Sequence, residues 1–298
     1  MSLRVSVIVP TYRDWPRLAL CLEGLRQQTL PADEFEIIVA DNDATSNPPQ
    51  LPEDVRYVHA PAGYSYAARN AGAGLARGAV LAFTDADCQP APQWLQAGLA
   101  ALEAHPEWDL VGGRIDIIAG QQNTAVRYES LFEFQQQQLV ELGGYSVTAN
   151  LFVRHAVYAA RGGFDGALKS CGDSEFCTRL GTQGHRIGYA DAALVRHPAR
   201  ETLTEILDKN RRIASGQYDR LLRDSAGSRR RFYTLLLHAF RPRPREWYYI
   251  LAGGRGSEIY TPAQRLPVML LRLGLHYQIA WRMLRSRLSD RRVEHHIR

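Results

Sequence analysis

Apolar positions in the first two hundred residues follow two periods. Short β-branched runs, Val5-Ser6-Val7-Ile8-Val9, Phe35-Glu36-Ile37-Ile38-Val39-Ala40 and Val55-Arg56-Tyr57-Val58, read as strands. The first should stop at Pro10, which has no N–H to give a ladder. Between the first two strands, Leu18, Leu22 and Leu25 recur at helical spacing up to Thr29, with Asp14 placed to cap and Pro16 in the first turn. Strand, helix, strand with short links is a βαβ unit and implies a parallel sheet. Gly78-Ala79-Val80-Leu81-Ala82 then reads as a buried strand leading into Phe83-Thr84-Asp85-Ala86-Asp87-Cys88. Two carboxylates therefore leave a strand at its carboxyl end, as Asp41 does after the second strand. In open α/β sheets ligands bind at that edge, and hard oxygen ligands there suit Mg²⁺ or Mn²⁺.

Further along, helical spacing covers residues 66–77, 92–104, 126–142, 156–161 and 174–181, and strands are expected at 110–118, 146–153, 187–190 and 193–195. Within the third of these helices the glutamines at 135–138 read as one wet face. Gly162-Gly163-Phe164-Asp165 is a turn, and Gly172-Asp173-Ser174-Glu175 supplies capping residues ahead of an apolar stripe. The glycines from Gly72 to Gly78 are no dinucleotide loop, because they close a helix and precede a strand. Beyond Leu203 the chain becomes helical and Arg-rich, with breaks near Ala226-Gly227-Ser228, at 242–244 and at Gly253-Gly254. A boundary is expected near residue 200, giving units of 1–200 and 201–298.

Composition narrows the class. At 298 residues with 45% hydrophobic and 22% charged positions, the chain can bury a substantial core. No run of about 18 apolar residues suggests a membrane span, and the N-terminus has no signal-peptide profile. Cys21, Cys88, Cys171 and Cys177 show no CxxC spacing, which fits reduced thiols in a cytoplasm. The net charge of +5 is unevenly placed: from Arg200 onward there are 21 Lys and Arg against 9 Asp and Glu, a net of +12. A basic tail suggests anionic lipid or an anionic substrate, and no nucleic-acid-binding motif accompanies it.

Six motifs occur in a telling order: Val7-Ile8-Val9-Pro10-Thr11-Tyr12, Asp41-Asn42, Ala68-Arg69-Asn70-Ala71-Gly72, Phe83-Thr84-Asp85-Ala86-Asp87, Gly162-Gly163-Phe164-Asp165 and Gly172-Asp173-Ser174-Glu175-Phe176. Over residues 5 to about 200 the chain resembles the family 2 glycosyltransferases. The resemblance implies an α/β protein of GT-A fold, with a Rossmann-like, mostly parallel sheet flanked by helices, here followed by a helical C-terminal extension. It implies inverting transfer of a sugar from a nucleoside-diphosphate-sugar (a UDP-sugar first, a GDP- or dTDP-sugar otherwise) to a hydroxyl of a saccharide or lipid-linked acceptor. A divalent cation, Mn²⁺ or Mg²⁺, would neutralise the leaving diphosphate.

By the same resemblance, Asp87 holds the metal, with His197 completing its shell. Asp85 meets the donor's ribose or sugar. Pro10, Thr11, Tyr12 and Ala86 line the donor pocket, Asp41 accepts from the base and Arg69 lies near the diphosphate or base. Asp173 is the general base, although the acid that precedes it in the family is Gly172 here. A lone Asp is a weak base unless burial raises its pKa. Glu175 and Asn150 are placed at the acceptor, while Asn70 and Gly72 suit helix packing, and Cys171 and Cys177 suit small-hydrophobe packing. Two other readings compete: a sugar-nucleotide nucleotidyltransferase, which would want a lysine near the N-terminus where the first lysine is Lys169, and a non-catalytic scaffold, which would lose the metal acid or the base. Residues 266–288 mix apolar positions and Trp281 with arginines, a pattern that can lie in a bilayer interface and would place the protein peripherally on the inner face of the cell membrane.

Overall fold

The computed structural model of the protein describes residues 3–45, 47–60, 63–225, 228–254 and 257–296. The chain forms two compact units. One holds the chain up to Ile118, Phe134–Leu168 and Gly172–Pro198; the other holds Ala119–Glu133, Lys169–Cys171 and the chain from Ala199 onward.

The first unit is built on one eight-stranded sheet. Its strands are β1 (Val5–Thr11), β2 (Phe35–Asp41), β3 (Val55–His59), β4 (Val80–Thr84), β5 (Gln89–Pro90), β6 (Leu110–Ile118), β7 (Asn150–Arg154) and β8 (Ile187–Pro198), in the order β3-β2-β1-β4-β7-β6-β8-β5. β1 pairs in parallel with β2 and β4, β2 with β3, and β6 with β8, while β7 runs antiparallel between β4 and β6 and β5 runs antiparallel to β8. β1 and β4 are buried at every position, as strands covered on both faces must be. Helices α1 (Trp15–Arg26), α2 (Ser65–Leu75) and α3 (Trp94–Ala104) are the crossovers. β1 continues through Pro10 to Thr11. Beyond Ile8 only β2 remains paired with it, so a residue without an N–H is tolerated there. Asp14 stands at the N-cap of α1 without a side-chain cap bond, its carboxylate turned toward Arg17 at 3.5 Å.

The long helix expected at 126–142 is two: α4 (Thr124–Phe132) and α5 (Gln136–Gly143), parted where Phe134 takes a left-handed backbone, φ 54°. The glutamine run is not one wet face. Gln136 is buried, and its Nε2 donates to Gly113 O at 3.1 Å, Ser146 Oγ at 2.8 Å and Asn150 O at 3.0 Å. The strand expected from 146 begins only at Asn150, and those at 187–190 and 193–195 are one strand, with a register shift opposite Gly113 and Ile115. α6 (His155–Ala160) and α7 (Gly172–Thr182) complete this unit.

In the second unit, α4 joins α8 (Leu203–Ser225), α9 (Arg229–Ala239), α10 (Pro244–Ala252) and α11 (Pro262–His296). Ala125, Tyr128 and Leu131 of α4 share a buried cluster with Ile206, Val268 and Leu275, which draws 119–133 to the C-terminal helices rather than to the sheet. Of the expected break near 226–228, Ala226 and Gly227 lie outside the described residues; Ser228 caps α9, accepting from Arg231 N.

Candidate active site

The carboxyl ends of β1, β2 and β4 gather the acids. β4 ends at Thr84, and the turn after it presents Asp85 and Asp87, both half-buried, around Ala86, whose side chain sits in the core. Ala86 therefore reaches a ligand only through its backbone. At the far end of β8, His197 is 3% exposed and its Nε2 lies 3.6 Å from Asp87 Oδ1. Its Nδ1 is 2.7 Å from Pro198 O and donates its proton there, because a carbonyl can only accept; in the neutral ring this leaves Nε2 as the nitrogen with the lone pair. Phe134, held in its left-handed conformation, lays its ring 4.4 Å from the imidazole.

Asp87, Cys88 and His197 present ligand atoms that all lie within 4.8 Å of one another. A ring nitrogen fixed by a backbone carbonyl beside a carboxylate is the arrangement metal-ligating histidines adopt, so these residues fit a divalent cation. Burial and the neighbouring Asp85 and Asp87 push the Cys88 thiol well above its usual range. The carboxylate and the imidazole are left as the donors.

Around the corner, Arg69 of α2 is 4% exposed. It pairs with Asp85, lies 5.4 Å over the Tyr66 ring, and leaves its buried Nε without a hydrogen-bond partner. Asp173, in the first turn of α7, accepts from Ser174 N at 2.8 Å. Burial pushes its carboxyl above the usual range, helped by the charge of Asp85 and opposed by Arg69 and by backbone N–H groups of Ser174 and Thr148. The base expectation required that environment. Gly172 precedes it because the ring of Tyr66 fills the space: a Cβ there would fall 2.7 Å from Tyr66 Cδ2.

At β1, Pro10 and Thr11 are buried and Tyr12 is 56% exposed; Thr11 Oγ1 has no hydrogen-bond partner. Asp41 is fully buried, with Oδ1 accepting from Asp43 N at 2.9 Å and Oδ2 from Tyr57 OH at 3.1 Å. Next to it Asp43, which no motif singled out, takes Arg13 in a two-pronged bond, 2.6 and 3.1 Å, that holds its carboxyl near 2. Arg13 is itself left-handed, φ 55°, with its guanidinium 5.2 Å over Tyr12. The Asp41-Asn42-Asp43 spacing carried that signal.

The two residues expected at the acceptor both have partners within the fold. Asn150 is fully buried and spends both amide protons, on Arg114 O and Ala193 O at 2.8 Å each, while its Oδ1 accepts from Trp94 Nε1 at 2.8 Å. It ties β7 to its neighbours and has no proton left for an acceptor. Glu175 bonds Arg179 at 2.8 Å one helical turn on, and Arg179 in turn donates to Gly163 O at 2.6 Å. Glu175 thus braces the turn at 162–165. Asn70 clamps the same turn, donating to Phe164 O at 2.7 Å and accepting from Phe164 N at 3.0 Å; Gly163, φ 66°, admits it because a Cβ would lie 2.8 Å from Asn70 Oδ1. Cys177 is buried, its thiol pushed up to about 12 by that burial.

A mixed α/β sheet with carboxylates and a histidine at one edge is the architecture of GT-A glycosyltransferases. The chain belongs to glycosyltransferase family 2, whose family model matches residues 6–160. It is 32% identical over 251 residues to glycosyltransferase AglE of Haloferax volcanii, across 80% of this chain and 82% of that one. It is 29% identical over 254 residues to the succinoglycan biosynthesis protein ExoM of Rhizobium meliloti, across 79% and 81%. Among solved structures, the mannosyltransferase PcManGT of Pyrobaculum calidifontis, in complex with GDP-Man and Mn²⁺, superposes with a TM-score of 0.61 at 18% identity over 97% of this chain and 88% of that one. TarS of S. aureus with UDP-GlcNAc does so at 0.55 and 18%, over 96% and 92%. The chain is a glycosyltransferase; neither the nucleotidyltransferase nor the scaffold reading finds support in these likenesses.

Proposed function

We propose that the chain transfers a sugar from a nucleoside-diphosphate-sugar to a saccharide or lipid-linked hydroxyl, with inversion, in the synthesis of a cell-surface glycan. The observation that carries this reading is Asp173: a carboxylate raised by burial, in the field of the Arg69–Asp85 pair. Asp173 would take the proton of the acceptor hydroxyl as that oxygen bonds the anomeric carbon. The bond from that carbon to the diphosphate oxygen breaks, its electron pair leaves with the diphosphate, and attack from the opposite side inverts the centre. A divalent cation, Mn²⁺ or Mg²⁺, held by Asp87 and His197, would supply charge neutralisation on the leaving diphosphate. An imidazole beside the carboxylate favours Mn²⁺ over Mg²⁺, the harder of the two and the more restricted to oxygen ligands. Arg69, with its unpartnered buried Nε, and Thr11, with its unpartnered hydroxyl, supply polar atoms for the donor. The relatives support the substrate class: one is named for succinoglycan biosynthesis, and neighbours hold GDP-Man or UDP-GlcNAc. A UDP-sugar is the first choice, a GDP- or dTDP-sugar the next.

The test is a thermal-shift screen with UDP, GDP, dTDP and CDP, each with and without Mn²⁺. One nucleotide should raise Tm only when the metal is present, since a ligand at 100 times its Kd stabilises by about 2.7 kcal/mol. Asp87→Ala should remove that dependence and leave the unliganded Tm in place. Equal affinity for the nucleotide across a Mn²⁺ titration of the wild type would reject the metal assignment.

A further inference from the structure

Helix α11 buries one side in the helical unit and leaves much of another exposed. Val268, Leu275, Ala280 and Met283 are 0–4% exposed, and Val268, Leu275 and Met283 belong to the two buried clusters of the helical unit. At 100° per residue, Leu266, Leu270, Leu273, Tyr277, Trp281, Leu284 and Leu288 fall within an arc of about 80° on another face, where Leu284 packs against one of those clusters and the ring of Trp281 lies 5.6 Å from that of Phe240. Of these, Leu266, Leu270, Trp281 and Leu288 are 47–56% exposed. At 1.5 Å per residue the stripe is about 33 Å long. The outward face of a helix packed on a soluble core ordinarily carries polar residues; this one carries leucine and aromatic rings.

Charge decides what covers it. No acidic residue occurs between Glu258 and Asp290, while Arg285 stands exposed beside the stripe. Two copies of this helix pairing along the stripe would find no acidic partner for Arg285, whereas paired helices use opposite charges. An anionic headgroup layer complements it, and Trp and Tyr are the rings that favour that layer. Among the described residues no helix is long and apolar enough to cross a membrane. We propose that the outer face of α11 docks in the plane of an anionic lipid bilayer, its exposed leucines and Trp281 below the headgroups and Arg285 among them. This does not depend on the chemistry assigned to the sheet edge.

The test uses the full chain in flotation with vesicles of phosphatidylcholine alone or mixed with phosphatidylglycerol. The wild type should float with the mixed vesicles only, and high salt should release part of it. The pair Leu270→Glu and Trp281→Glu should cut the floating fraction about tenfold or more, and Arg285→Glu should cut it less. Leu142→Glu, at an 86% exposed leucine of the sheet unit, should change nothing. Circular dichroism establishes that each variant is folded. Three results overturn the proposal: no flotation of the wild type at low salt, flotation unchanged in the double variant, or a wild-type dimer by light scattering that the double variant dissolves, which assigns the face to a second copy.

Discussion

Asp173 shows what a single residue's surroundings do to its chemistry. An exposed aspartate at neutral pH is a poor proton acceptor; burial raises this one, and Arg69 limits how far. Asp173→Asn is nearly isosteric and retains capping ability. It should leave nucleotide binding close to wild type and lower transfer by ~10²-fold or more. Wild-type transfer in that variant would move the role of base elsewhere. The same pairing sets the pH dependence. As the base Asp173 would have to be ionised, so activity should fall as pH drops through its raised pKa, earlier than for an ordinary aspartate. Arg69→Met removes a positive charge that favours the ionised form. The acid limb of kcat should then move to higher pH, whatever the variant does to KM. A limb that stays in place while kcat falls would make Arg69 a donor contact alone.

At the scale of elements, Glu36 near the start of β2 holds the sheet at the edge away from the acids. Its buried carboxylate accepts from Ser6 Oγ at 2.7 Å, Arg56 Nη1 at 2.6 Å and Arg77 N at 2.7 Å. Burial raises its pKa, but the hydrogen bonds from Ser6, Arg56 and Arg77 outweigh it and the carboxyl ends below the usual range. A depressed folded pKa stabilises above the unfolded value, about 4.3 for Glu, and that stabilisation fades as pH falls toward the folded value. Glu36→Gln should therefore cost about 1–3 kcal/mol in urea unfolding at pH 7, and much less in acid. An equal deficit at both pH values would show that shape, not charge, is lost. Glu36 also marks a limit of reading elements from pattern. β1, β2 and β4 were legible because runs such as Val7-Ile8-Val9 have one natural conformation. The break in 126–142 was not, because Phe134 carries no helix-stopping chemistry: its left-handed backbone is imposed by packing, with its ring on His197. The burial of Gln136 and Asn150 was not legible for a related reason. Their burial depends on carbonyls of β6 and β8 that only the folded sheet brings near. The positions of Asp87 and Asp173 were legible because they follow from local motifs, a strand end and a helix start.

Across the whole molecule, chemistry and charge are segregated. Asp85, Asp87, Asp173, Arg69 and His197 all belong to the sheet unit, whose two buried clusters draw on no residue of the other. The helical unit has its own clusters and its own buried ionic group, in which Glu129, fully buried, bonds Arg200 at 2.9 Å and Lys209 pairs with Glu133. Units with separate cores can respond separately to a ligand, since a ligand protects what it binds and what is cooperative with it. Hydrogen exchange with UDP (or whichever nucleotide the screen selects) and Mn²⁺ should therefore slow amides at the ends of β1 and β4, in the turn holding Asp85 and Asp87, and in the first turn of α7. Amides of α8 and α11 should exchange at their unliganded rates, because their hydrogen bonds open with buried clusters of their own. Equal slowing in both units would mean that they unfold as one, and that the helical unit contributes to donor affinity. Slowing in α8 and α11 alone would move the nucleotide away from the sheet edge altogether.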